Sequence, residues 1–364
     1  MPSMRHRVLF VLLFHFSHMI WSITAPEPKP NPTRSTKLPT GARKLAVQSV
    51  NKPLMGIGIT ADGLNDPRYQ GVVTKYFSVI TPGNELKWGT LEPNPGAYNI
   101  AGANRIRDYV QSTNKQLRIH TMFPRSQYPG WVDGITKVGD MRQRMSMILE
   151  FVIKNYGRNA IAMDVCNEIL DKNGNPDNLP WKRIMGNKWY EEAFRMAKQF
   201  RDQYAPQMLL FLNDYGAEYM NPKADGLLAI ATSLYKQKLL DAVGFQCHFA
   251  ASHIPRHVFQ KNLERFTAVG LKVAITEIDM RIPMNEQPKA VQKDLAAKTG
   301  DYEVIYGICR RVKGCVSVTA WGVTPSDSWI GHVEYPGFGN ATLFENDYSP
   351  TPAMKQLIKD GFFS

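Results

Sequence analysis

Two glutamates carry the strongest chemical signal in this 364-residue chain. Glu168 ends the run AIAMDVCNE (160–168), and Glu277 lies in KVAITEIDM (272–280). Each follows an apolar stretch, the pattern of a side chain carried to the end of a buried strand. Two carboxylates across a cleft can hydrolyse a glycoside: one protonates the leaving oxygen, and the other attacks the anomeric carbon or activates water. The acid must hold its proton while its partner is ionised, so their environments must differ. Asn167 beside Glu168, and His248 near Glu277, are the residues that could set them apart. Strand-end carboxylates also bind metals, so the pair alone is only moderately specific.

The elements that must position these groups follow one rhythm. Eight apolar runs each end in polar residues and are followed by helical patterning: MGIGIT (55–60), YFSVITPGNE (76–85), LRIHTMF (117–123), AIAMDVCNE, MLLFLNDY (208–215), AVGFQCHF (242–249), KVAITEIDM and VSVTAWGV (316–323). Strand alternating with helix implies parallel strands joined by right-handed crossovers. Eight such units predict an α/β fold, a (β/α)8 TIM barrel forming a single catalytic domain over residues 45–364. Barrel enzymes build their sites at the C-terminal strand ends, where this chain places Asn84, Glu85, His120, Asn167, Glu168, Asn213, Asp214, Gln246, His248, Glu277, Asp279 and Trp321. Capping explains one polar strand end, not the habit at nearly all of them. Strands four and seven face each other across such a barrel, which sets Glu168 opposite Glu277.

Composition sets the address. Residues 1–25 have Arg5 and Arg7 before a short apolar run, the form of a secretory signal peptide. Residues 26–44 hold five prolines and five bases, a Pro-rich basic arm. Of the net charge of +12, the signal carries +2 and the arm +4, leaving a body of +6. That charge suits solubility and surface association; no basic, aromatic-interleaved motif supports nucleic acid, and no later stretch is apolar enough to span a membrane. The expectation is a secreted, extracellular monomer with a carbohydrate partner, no cofactor and no metal. Cys309 and Cys315, in CRRVKGC, read as a small disulfide loop, whereas Cys166 and Cys247 lie in separate apolar runs as buried free thiols. Asn340-Ala341-Thr342 is a glycosylation sequon. GIGITA fits a dinucleotide-binding pattern, but a lone match is weak. The paired histidines of HIPRH are split by Pro255, which disfavours a helical metal site, and no nucleophile-elbow motif is present.

The blocks TPGNELKWGTLEPNPGAYN, MDVCNE, LNDY, GFQCHF, ITEIDM and WGVTPSDSW resemble, in order, the motifs of glycoside hydrolase family ten, mostly secreted endo-β-1,4-xylanases. The resemblance runs from about Met55 to Ile358. It implies that Glu168 is the acid/base and Glu277 the nucleophile of a retaining enzyme, with carboxyls ~5–5.5 Å apart. It implies that Asn167 holds the sugar 2-hydroxyl and that His248 hydrogen-bonds the nucleophile. Asn84, Lys87, His120 and Gln246 match polar sugar contacts, Trp321 and Trp329 aromatic walls; Gln127 and Tyr215 join the substrate-binding set. CRRVKGC matches a disulfide loop common in the family.

Four places depart from the family pattern. Gly83 stands where a glutamate is usual, Pro124-Arg125 replace a Trp-His step, Met163 replaces a tryptophan, and Gly216 an asparagine. Xylose lacks a hydroxymethyl at C5, and the xylanase pocket is walled closely around that gap. Removing an aromatic wall makes room for a larger sugar, and Arg125 could bring new donors to it. These departures lean narrowly toward a saponin-type or other non-xylan β-glycoside, as in the family's fungal tomatinase-like branch, which strips the tetrasaccharide from α-tomatine. The alternatives are an endo-1,4-β-xylanase and a catalytically silent carbohydrate-binding or elicitor protein on the same barrel.

Overall fold

A computed structural model describes residues 52–284 and 288–363; the signal sequence and the Pro-rich arm lie outside the described residues. Its strands are β1 (Leu54–Ile59), β2 (Val79–Pro82), β3 (Gln116–Pro124), β4 (Ala160–Asn167), β5 (Leu209–Asp214), β6 (Ala242–Phe245), β7 (His248–Ala250), β8 (Lys272–Pro283), β9 (Cys315–Trp321) and β10 (Phe338–Gly339). β1 to β6, β8 and β9 pair in parallel around a closed ring, with β9 returning to β1. These eight are the apolar runs of the sequence, and the fold is a (β/α)8 barrel. β7 runs parallel to the far end of β8, and β10 antiparallel to it.

Helices form the outer layer. Val138–Tyr156 turns Met145, Ile148, Leu149 and Val152 inward, and Trp189–Tyr204 does the same with Phe194, Ala197 and Phe200, each large apolar group contributing roughly 1.5–3 kcal/mol by burial. Helix starts have local causes. Asn221 caps Pro222–Lys236 by accepting the Ala224 N–H at 2.9 Å, and Pro222 sits where no N–H is needed.

Inside the barrel, small residues make room for large ones. A Cβ on Gly56 would lie 2.5 Å from Thr319 Oγ1, and one on Gly58 would lie 2.8 Å from the Trp321 ring. The glycines of GIGITA therefore serve strand packing and the seating of Trp321. A Cβ on Gly244 would lie 2.2 Å from Asn213 Oδ1, so this glycine clears space for a strand-end amide.

Two backbone irregularities aim the site. Between β6 and β7 the chain leaves the ladder, and Cys247 takes a left-handed φ of 63°. Glu168 does the same directly after β4, at φ 61°. Non-glycine residues rarely adopt this conformation, which costs of order 1–3 kcal/mol and clusters at functional sites. Cys309 and Cys315 are disulfide-bonded, joining the end of helix Pro288–Arg311 to the start of β9. Cys166 and Cys247 are buried free thiols. Among the described residues no helix is long and apolar enough to cross a membrane.

Candidate active site

Every catalytic and substrate-binding residue singled out in the sequence lines one cleft of about 960 Å³ at the C-terminal strand ends, a size suited to a ligand site. Glu277, on β8, is 5% exposed. Its Oε1 accepts the Asn213 amide at 2.7 Å, and its Oε2 lies 3.4 Å from His248 Nε2. Burial alone would raise its pKa. The charge of His120, the hydrogen bond and charge of His248 and the charge of Lys87 outweigh burial and hold it at about 2. His248 is itself gripped from both sides, with Nδ1 2.9 Å from Asp279 Oδ2. Desolvation opposes its protonation, but Asp279 and Glu277 together hold its pKa well above the usual imidazole value. Trp329 donates its indole N–H to the same Asp279 oxygen at 2.7 Å, and its ring lies 4.9 Å from the imidazole.

Glu168 has a different environment. Its Oε1 accepts from Gln246 Nε2 at 2.9 Å and Asn167 Nδ2 at 3.2 Å, both neutral amides. Among the described residues Oε2 has no hydrogen-bond donor, so it is available to a bound molecule. The two carboxylates are linked through amides: Asn213 Nδ2 also donates to Asn167 Oδ1 at 2.8 Å, and Gln246 Nε2 donates to the same oxygen at 3.2 Å. Asn167 and Glu168 reach the cleft as consecutive residues because of the left-handed turn at Glu168.

Beneath the site a charged chain is sealed in the barrel. Arg118 Nε donates to Asp164 Oδ2 at 3.1 Å, and the guanidinium lies 4.2 Å from the centroid of Phe211. Asp164 Oδ2 is also 3.0 Å from His120 Nδ1, which lies 3.9 Å from Glu277 Oε1. His120 packs its edge on Trp321, with ring centroids 5.5 Å apart. At the polar end of the cleft Lys87 Nζ donates to Asn84 Oδ1 at 3.1 Å and Gln127 Oε1 at 2.6 Å. Elsewhere in the lining, Arg125 donates to the Tyr215 hydroxyl at 2.7 Å and faces Asp177 at 3.2 Å.

Four residues that support this geometry received no role from the sequence. Asn213 and Asp279 stood at strand ends and were recognisable by position alone. Asp164 and Arg118 were not, because a register shift between Asp164 and Cys166 breaks the simple alternation from which facing is read. Of the four departures, Gly83, Pro124 with Arg125, and Gly216 line the cleft, but Met163 does not. It is fully buried, opposite Ile119 and Leu210 in the outer packing, so it opens no space for a larger sugar. Arg125 already has protein partners in Tyr215 and Asp177, while its side chain stays 42% exposed in the cleft lining. Asn340 is half-buried in the loop after β10, away from the cleft lining. Among the described residues no three His, Cys, Asp or Glu side chains converge to hold a metal ion.

The charge around Glu277 makes a pH prediction. Its folded pKa lies below the usual carboxylate value, so the carboxylate stays ionised until pH falls toward about 2, while the stability it confers is full above the usual carboxylate value and is lost progressively as pH falls from there toward about 2. His248→Asn removes one source of that depression and should move the acid limb of kcat/KM upward by about one pH unit. A pH–rate profile with an unmoved limb would deny His248 this role.

The sequence model of Glycosyl hydrolase family 10 matches residues 44–360. Endo-1,4-beta-xylanase 5 of Pyricularia oryzae is 32% identical over 328 residues, covering 87% of this chain and 78% of that protein. The crystal structure of a glycosylated endo-beta-1,4-xylanase from Gloeophyllum trabeum superposes with a TM-score of 0.77 at 29% identity, covering 84% of this chain and 95% of the other. Xylanase 10B from Thermotoga petrophila, solved with xylobiose, gives a TM-score of 0.77 at 26% identity over 86% of this chain and 95% of the other.

Proposed function

The chain belongs to glycosyl hydrolase family 10, and from that premise we propose that this glycosidase is a retaining endo-β-1,4-xylanase. Glu277 attacks the anomeric carbon as nucleophile while Glu168 protonates the leaving oxygen; Glu168 then takes a proton from water as the covalent intermediate is hydrolysed. The observation that carries the assignment is the asymmetry of the two carboxylates. Glu277 is surrounded by His120, His248 and Lys87 and is held ionised, whereas Glu168, which also lines the cleft, meets only neutral amides on Oε1. A nucleophile must be charged, so Glu277 takes that role and the acid/base role falls to the other carboxyl of the pair. Retention of both groups and their support also argues against a silent binding protein.

For the substrate, xylan is favoured over a saponin on two grounds. The relatives above are named as xylanases, and one of the changes that suggested a larger sugar loses that force because Met163 is buried outside the cleft. The secretory signal read from residues 1–25 supports action outside the cell on a plant-wall polymer. Side-by-side assays on xylan and α-tomatine test this. Release of xylo-oligosaccharides without tomatidine is expected; tomatidine release without xylan depolymerisation would overturn the assignment.

A further inference from the structure

Arg125 stands at a junction that its sequence position does not reveal. Pro124 pairs with Asn167 in the β3–β4 register, and the Arg125 N–H donates to the Asn167 carbonyl at 3.0 Å. From there the side chain reaches outward in two directions. Nη1 donates to the Tyr215 hydroxyl, just past the end of β5, at 2.7 Å. Nη2 lies 3.2 Å from Asp177 Oδ2, in the loop after β4. β3, β4 and β5 are consecutive in the barrel. One residue therefore ties three successive loops together around the strand end that carries Glu168.

Tyr215 is held from a second direction. Lys223 Nζ lies 3.7 Å from the centroid of the Tyr215 ring and 2.8 Å from Asp214 Oδ1. Asp214 is fully buried and also accepts the Tyr215 N–H at 2.9 Å. A cation on the ring and a donor on the hydroxyl leave the phenol little freedom, although it is 38% exposed and lines the cleft. Glu168 must deliver its proton to the leaving oxygen, so the leaving group sits on its side of the cleavage point, where Tyr215 and Arg125 stand.

We propose that Arg125 is a specificity-determining positioning residue, a strap that fixes Tyr215 as a preformed platform for the leaving-group sugars. The proposal rests on the xylanase assignment above. An aromatic face held in place binds a sugar without losing rotamer freedom at the moment of binding. Arginine suits the task because its planar fork reaches two acceptors in different directions, which a lysine ammonium on one flexible stem does not. The strap acts only on sugars beyond the cleaved bond, so its effect depends on the leaving group.

The test compares the full-length enzyme with Arg125→Ala, Arg125→Lys, Tyr215→Phe and the Arg125→Ala/Tyr215→Phe double variant. The substrates are xylopentaose and a nitrophenyl β-xylobioside, which carries no leaving-side sugar. The ratio of kcat/KM on xylopentaose to that on the aryl xylobioside should fall about tenfold in Arg125→Ala, mainly through KM. Arg125→Lys should not restore it, and the double variant should be no worse than the worse single variant. Equal losses on both substrates, independent effects that multiply in the double variant, or unchanged ratios would each overturn the strap. A wild-type enzyme that hydrolyses neither substrate overturns the xylanase assignment and the strap with it. Normal wild-type activity with an unchanged Arg125→Ala ratio overturns the strap alone.

Discussion

Glu277→Gln should abolish turnover of every glycoside, whatever its leaving group. Glutamine keeps the shape, and Asn213 and His248 remain beside it, but the amide cannot form the covalent intermediate. The expected loss in kcat is roughly 10⁴-fold or more, the scale on which covalent nucleophiles contribute. The site is built around the charge of this residue: His248, His120 and Lys87 all favour it against the cost of burial. The substitution should therefore also alter the ionisation of its neighbours. His248 owes part of its raised pKa to Glu277, so its imidazole should titrate at lower pH in the variant, a shift NMR can follow. A Glu277→Gln enzyme that retains a tenth of wild-type activity would remove this residue from the reaction.

Glu168→Ala should produce a loss that depends on the leaving group. On xylo-oligosaccharides, where the departing oxygen needs a proton, the loss should be roughly 10²–10⁴-fold. A dinitrophenyl β-xylobioside has a leaving group stable as an anion, so its first step should proceed nearly unimpaired. The second step lacks its base, and the glycosyl-enzyme should accumulate as a burst. Azide needs no base, so it should restore turnover and give the β-glycosyl azide. Equal losses on both substrates, with no burst and no azide product, would show that Glu168 is not the acid/base. The structure gives the reason to expect this division: Glu168 lines the cleft, and only neutral amides donate to its Oε1.

The barrel was legible because its signals are local and repeated. Each strand is a short apolar run with a polar end, and each crossover carries helical spacing. The placement of Glu168 and Glu277 in one cleft was legible for the same reason, since strand ends in this architecture converge on one mouth. What escaped depends on backbone detail. Glu168 faces the cleft beside Asn167 because its φ is 61°, and alternation does not foresee two consecutive inward residues. Met163 looked like a lost pocket wall, but the register opposite Ile119 and Leu210 buries it outside the cleft. The partners of Arg125, Asp177 and Tyr215, lie 52 and 90 positions along the chain, beyond any local pattern. The glycines of GIGITA mimicked a nucleotide motif for a reason visible only across strands, the bulk of Thr319 and Trp321 on β9.

The proposed reaction is a double displacement on a β-xylosidic bond, with Glu277 as nucleophile. Proton NMR of xylopentaose during the first minutes of hydrolysis, before mutarotation, tests it most directly. The new reducing ends should appear first as the β-anomer and drift toward the equilibrium mixture. Initial appearance of the α-anomer, or no hydrolysis at all, would contradict it.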